Sequence, residues 1–370
     1  MSFDCLAGIR VLDLSQYIPG PFATRMLADL GAEVIKVEPP AGDPMRTLGP
    51  LGEDGLSPDY HQLNSGKTVV RIDLKTPGGK EQLARLLAKA HVLMDSFRPG
   101  TLDKLGFNRE KLEAINPGLV HCALSGFGQT GPHRLVAGHD MTYLALTGGL
   151  VASGVTERPT PAYPPLADHA GALQAAVSIL AALLRRTATG KGAHLDVSLC
   201  ESAMAWQYQV LANPQSPPGR ESIMLNGGAA YYRNYRTRDG RFAAFVPIED
   251  KFWQAFCKAV DRPDLVARHD EPMPQTDLIA ELERLFAARD LAEWQAILGP
   301  ADCCFEAVLE PAEAISHPHH RARGLMAPAK GDAKGGGVEV LLPLILDARP
   351  PSPRPPFRET PAQEILDRWQ

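Results

Sequence analysis

At 370 residues the chain is too long for one hydrophobic core of ordinary size, so two domains are expected. Its 44% apolar and 22% charged residues fit a folded protein rather than a disordered one. A net charge of −5 leaves no global basic field to attract nucleic acid or an anionic membrane, so an anionic ligand needs a local basic cluster.

No stretch approaches the run of roughly 20 apolar residues expected of a membrane span. The start, Met1-Ser2-Phe3-Asp4-Cys5, lacks the sections of a signal peptide, and Asp367-Arg368-Trp369-Gln370 carries no peroxisomal S-K-L-type address. Cys5, Cys122, Cys200, Cys257, Cys303 and Cys304 match no zinc or C-x-x-C spacing, and free thiols in a reducing cytoplasm are the expectation.

The first half alternates strand and helix. Residues 9–14 read as a strand, Pro19-Gly20-Pro21 as a turn, 22–30 as a helix ending at Gly31, and 33–37 as a second strand. A strand over 68–72 follows, then helical spacing of Leu83, Leu86, Leu87 and Ala90, then strands at 91–95 and 118–124. This rhythm predicts a parallel, Rossmann-like α/β sheet with helices on both faces. Residues 169–187 read as a mostly buried helix, followed by a strand over 194–199.

Beyond 200, Pro214, Pro217 and Pro218 mark a connecting segment. A hairpin follows, with strands at 231–237 and 242–246 around Asp239-Gly240. Helices near 251–260, 275–287 and 291–298 complete a smaller α+β domain. The proline-rich tail from Arg349 reads as extended and lying over another surface. The expected division is a large α/β domain over 1–200 with a C-terminal return over 325–370, a linker at 201–225, and a small domain at 226–324.

Several chemical motifs fail on inspection. Ser65-Gly66-Lys67-Thr68 resembles the end of a P-loop, but His61 stands where its first glycine belongs and a strand follows instead of a helix. No G-x-S-x-G elbow occurs, and no G-x-G-x-x-G follows the first strand. His317-Pro318-His319-His320 lacks carboxylate or thiolate partners at metal-ligand spacing and reads as a solvated loop, so no metal is expected.

Three segments remain: Ala137-Gly138-His139-Asp140-Met141-Thr142-Tyr143-Leu144-Ala145-Leu146, Pro164-Pro165-Leu166-Ala167-Asp168-His169-Ala170-Gly171, and Phe245-Val246-Pro247-Ile248-Glu249-Asp250. Each has a structural reading. His139 could anchor the loop before a helix that Asp140 caps, Asp168 could be an N-cap, and Glu249 could favour a helix start through its dipole. Together they resemble family III CoA-transferases (the CaiB/BaiF superfamily), in particular their α-methylacyl-CoA racemase branch. Gly227-Gly228 to Arg241 and Gly190-Lys191-Gly192 to Ser198 are similar to that family too, and the resemblance spans roughly residues 7 to 325.

The resemblance implies that His139 and Asp168 form an acid/base pair and that Glu249 orients and charges His139. Racemising a 2-methylacyl thioester needs two proton carriers on opposite faces of the α-carbon, one loaded and one empty. A His backed by a carboxylate suits one face, and a carboxyl whose pKa is raised by exclusion of water suits the other. Backbone donors at the start of the helix near Asp168 are expected to meet the enolate oxygen. CoA is part of the substrate, and no metal or redox cofactor is called for.

Lys75, Arg98 and Lys104 occupy positions similar to those the family uses around CoA, with Arg71 and Lys36 as weaker candidates. Each also reads as an ordinary surface charge. Glu38 stands where racemases carry Arg, and with Leu63-Asn64-Ser65-Gly66-Lys67 it looks more like the CoA-transferases. In those, the Asp matching Asp168 is a nucleophile that forms a covalent intermediate. A non-catalytic acyl-CoA binder is the third reading. The resemblance also implies two ring-like subunits interlocked as a homodimer, with Glu249 reaching a site built with the other subunit's His139 and Asp168. No nucleic-acid or membrane partner is implied.

Overall fold

The computed structural model describes residues 3–212, 219–329 and 337–369. Pro214, Pro217 and Pro218 of the expected connecting segment lie outside the described residues, as do Met1, Ser2 and Gln370. The chain divides into two compact units, one of residues 1–146, 163–206 and 315–370, the other of 147–162 and 207–314. The expected division had placed 147–162 in the large domain and 315–324 in the small one.

The large unit carries strands β1 (Arg10–Asp13), β2 (Glu33–Glu38), β3 (Thr68–Arg71), β4 (Val92–Asp95), β5 (Val120–Ser125) and β6 (Ala193–Ser198). With a late strand, Arg358–Glu359, they form one sheet in the order Arg358–Glu359, β3, β2, β1, β4, β5, β6, with every neighbouring pair parallel. The order 3-2-1-4-5-6 is the Rossmann order. It reverses between β1 and β4, and such open sheets bind ligands beyond the strand ends at that reversal.

The strands read correctly from sequence because their apolar runs are buried on both faces; Val11, Leu12, Ile35, Val92, Leu93 and Met94 are all fully buried or nearly so. Each such side chain contributes roughly 1.5–3 kcal/mol relative to exposure. Pro19-Gly20-Pro21, expected to be a turn, instead opens the Pro19–Asp29 helix. Proline lacks only an N–H that the first helical turn leaves unpaired anyway, and its fixed φ suits that position.

A buried ionic cluster holds the loop beyond β1. Lys67 Nζ lies 3.1 Å from Asp13 Oδ2 and also reaches Pro21 O, Thr24 Oγ1 and Asn64 Oδ1, with both side chains of the ion pair fully buried. Lys36 Nζ pairs with Asp43 Oδ2 at 2.8 Å and donates to Ser15 O. Burial by itself raises the Asp13 pKa, but Lys67, Lys36 and the Ser15 and Thr24 hydroxyls overcome it and bring the carboxyl to about 2. The Ser-Gly-Lys-Thr motif therefore supplies a structural cation.

The Leu166–Thr189 helix is, by length and composition, apolar enough to cross a membrane, which corrects the expectation from the sequence. Half of that window is buried inside the protein. Its buried side is mostly alanine, from Ala167 to Ala182, which lets it pack closely on the sheet and on the Pro19–Asp29 helix. The proline-rich tail runs extended along the large unit, with Arg354 buried between Asp29 and Glu339.

The second unit contains the antiparallel sheet β7 (Arg233–Arg236), β8 (Phe242–Phe245) and β9 (Phe305–Ala307), with the Asp250–Ala259, Thr276–Phe286 and Leu291–Leu298 helices. Its core is aromatic: Tyr235, Phe245, Trp253, Phe256, Phe286 and Trp294 pack together. Tyr235 stacks on Phe286 at 4.8 Å between ring centroids.

Candidate active site

His139 and Asp168 come together in the large unit. His139 precedes the short Asp140–Ala145 helix, whose start is fixed by Thr142: its hydroxyl accepts from His139 N at 2.9 Å and donates to His139 O. Tyr143 anchors the same turn, donating its hydroxyl to Gly138 O at 2.5 Å while its ring meets Phe127 edge-on. A Cβ at Gly126 or Gly138 would lie 2.6 or 2.5 Å from the Tyr143 ring, so only glycine fits at either position.

Asp168 is the third residue of the Leu166–Thr189 helix and not its N-cap, which is Pro165. The cap's work is done by Asp140, whose Oδ1 accepts from Ala167 N at 2.6 Å and from Asp168 N at 3.1 Å. These are the donors expected to meet an enolate oxygen. They are taken, because an acidic side chain at a helix start satisfies the same orphan N–H groups and the same dipole.

The consequence is electrostatic. Burial, then the like charge of Asp140, pushes the Asp168 carboxyl up to about 6, with His169 and His139 acting in the opposite sense. His169 itself is held by Pro165 O at 2.6 Å and by the edge of Phe22. Tyr143 has its pKa raised by burial and by Asp168, and Arg98 opposes that rise. The site thus gathers an exposed imidazole, a carboxyl with a raised pKa and a tyrosine.

Sequence reading missed Asp140's second role because its partners lie 27 and 28 residues away. Tyr143 sat inside the motif without a role. Glu249 stands exposed in the second unit, where it precedes the Asp250–Ala259 helix without a side-chain cap bond; its charge acts on Cys304.

The cationic candidates differ. Arg98 is exposed three residues beyond β4, at the reversal of strand order, and lines a cavity of about 360 Å³ with Phe97, Gly100 and Leu102. Lys75 and Lys104 are exposed on the same unit. Arg71 is committed to Glu359 at 3.3 Å and Pro40 O at 2.8 Å. Lys36 is fully buried against Asp43, so it meets no solvent-borne phosphate. Glu38 accepts from Arg46 Nε at 2.7 Å and Tyr60 Oη at 2.6 Å, a buried structural arrangement.

Among the described residues, Asp250, His269 and Asp270 bring three ligand atoms within 4.8 Å of one another. Both acids are more than three-quarters exposed, which is an ordinary solvated arrangement.

Known proteins resemble the chain over nearly its whole length. Human alpha-methylacyl-CoA racemase is 35% identical over 98% of this chain and 93% of its own length. Acetyl-CoA:oxalate CoA-transferase of Acetobacter aceti is 33% identical over 90% of this chain and 86% of its own. The crystal structure of a CaiB/BaiF family protein from Brucella suis superimposes with a TM-score of 0.84 at 26% identity, covering 99% of each chain. Residues 6–357 match the family described as CoA-transferase family III, and the chain belongs to that family.

Proposed function

We propose that this protein epimerises 2-methylacyl-CoA thioesters at C2. The observation that carries the reading is the Asp168 carboxyl at about 6 beside His139. At neutral pH such a group spends part of its time protonated, which is what the acid half of a two-base exchange requires. Neutral His139 takes the α-proton from one face and becomes imidazolium, balancing the charge of the thioester enolate. Protonated Asp168 returns a proton to the opposite face. The reverse direction exchanges the roles. Glu249 orients and charges His139 in this reading, and the step calls on no metal or redox cofactor.

Arg98 at the strand-order reversal, with Lys75 and Lys104, meets the CoA phosphates; the Rossmann order supports this. We place the protein in the cytoplasm as an interlocked homodimer. Six unpaired cysteines fit a reducing compartment, and Leu173, Val177 and Leu184, exposed along one helix, fit a partner surface.

A second reading is CoA transfer between carboxylic acids with Asp168 as nucleophile, favoured by Glu38 and by the Acetobacter relative. One experiment separates the two. The protein is incubated with a single-epimer 2-methylacyl-CoA in D2O without a second acid, and the α-proton is followed by NMR. Exchange with appearance of the other epimer, lost in His139→Ala and in Asp168→Ala, supports racemisation. No exchange, but transfer once a free carboxylic acid is added, assigns the transferase.

A further inference from the structure

Away from Asp168, three adjacent strands carry a second constellation. His121 on β5 is in register with His194 on β6 and with Leu93 on β4, two residues before Asp95. Alternate residues share a face, so Asp95, His121 and His194 lie on one side of the sheet. His121 Nε2 stands 2.6 Å from Asp95 Oδ2, and His121 Nδ1 stands 3.1 Å from His194 Nδ1. Asp95 and His121 are 3% and 8% exposed, whereas His194 is open to solvent.

The protons can be counted. With the Asp95 carboxylate accepting from His121 Nε2, the tautomer that satisfies both contacts has His121 Nδ1 accepting from His194 Nδ1. Neutral His194 then presents only a lone pair at Nε2. One further proton turns that nitrogen into a charged donor.

His194 lines a cavity of about 350 Å³ whose wall also carries Arg109, Arg185 and Lys191, with Glu113 as the one acid in the lining. Among the described residues none of these three cations has a side-chain hydrogen bond or an ion pair. Cations gathered around one hollow repel each other, and a multivalent anion relieves that repulsion best. We propose that this cavity is a binding site for a small polyanion with at least two acidic oxygen groups, such as a diphosphate or polycarboxylate metabolite. Arg109, Arg185 and Lys191 meet its charges and His194 donates from Nε2.

Binding takes up a proton. Burial, then His121 and Arg109, hold the His194 pKa below its usual value, while Asp196 on its own strand and Asp95 on β4 oppose them. A bound anion adds a strong opposing charge. The adjoining 360 Å³ cavity shares Arg109, His121 and His194 and reaches Arg98, so the phosphates of a bound CoA are the rival source of the same chemistry.

The test is calorimetric titration of the full chain with inorganic pyrophosphate at pH 7, repeated in buffers of different ionisation enthalpy. Arg185 and Lys191 are exposed, so the Arg185→Ala/Lys191→Ala double variant keeps the fold. Pyrophosphate binds the wild type with net proton uptake; the double variant binds at least tenfold more weakly, and His194→Gln loses the uptake. CoA binding stays within twofold in the double variant. The proposal is overturned if the wild type binds neither pyrophosphate nor citrate at millimolar concentration, or if the double variant binds as tightly as wild type. Stoichiometric displacement of pyrophosphate by CoA also overturns it, assigning the cavity to CoA's nucleotide end. So does a change of association state in the double variant without pyrophosphate binding to either protein, which assigns the cavity to a second copy of the chain.

Discussion

Asp13 and Asp168 are both acids drawn out of water in the same unit, yet they end at about 2 and about 6. Around Asp13 two lysines and two hydroxyls outweigh burial. Around Asp168 the nearest charge of consequence is another carboxylate, Asp140, whose own oxygen is spent on backbone N–H groups. Burial pushes both acids the same way, so the neighbours decide which becomes a fixed anion and which a proton carrier.

The largest expected effect tests the carrier. Asp168→Asn keeps the shape and removes the titration, and α-proton exchange measured by NMR should fall by about a thousandfold or more. Retention of a tenth of the wild-type rate would remove Asp168 from the chemistry. Next comes the fixed anion. Lys67→Met strands Asp13 without its main partner and should cost about 3–5 kcal/mol in urea unfolding, with Asp13→Asn/Lys67→Met recovering part of it. An unchanged midpoint would show that the cluster is not what holds the loop.

The two acids also predict opposite stability profiles. Asp13 is depressed, so its contribution is present above the ordinary carboxylate range and is lost as pH falls through about 2. Asp168 is raised, so stability is full below pH 4 and declines as pH rises through about 6. Asp168→Asn should therefore stabilise the protein by about 1–3 kcal/mol at pH 8 and hardly at all at about pH 3. Equal effects at both values would count against a raised pKa.

The smallest effect is the sharpest. Asp140→Asn keeps an accepting oxygen for Ala167 N and Asp168 N but removes the charge. The Asp168 inflection in the pH–rate profile should move to lower pH, with a rate change within about tenfold at pH 7. An unmoved inflection would mean that burial alone sets Asp168.

What could be read from sequence divides along the same line. The β1–β5 runs were legible because burial on both faces writes itself as short, mostly apolar runs. His139 and Asp168 were legible as members of a motif. Illegible were pairings across distance: nothing in Ser-Gly-Lys-Thr announces that Lys67 serves an acid 54 residues earlier. Likewise nothing in Asp140 announces that it caps a helix beyond residues 147–162, which belong to the other unit. Lys36 was misjudged for the same reason, since a strand lysine looks solvent-bound until Asp43 is seen folded over it.

The way the chain returns has a consequence for synthesis. Arg358–Glu359 adds a strand beside β3, and Ile365, Leu366 and Trp369 are packed into the core that lies under β1 and β4. The Trp369 indole donates to Glu33 at the start of β2. A nascent chain emerging from the ribosome can therefore finish its second unit while the first still lacks an edge strand and part of its core. For that interval β3 is an open sheet edge, available to any neighbouring chain, and the arrival of residues 358–369 is the event that closes it.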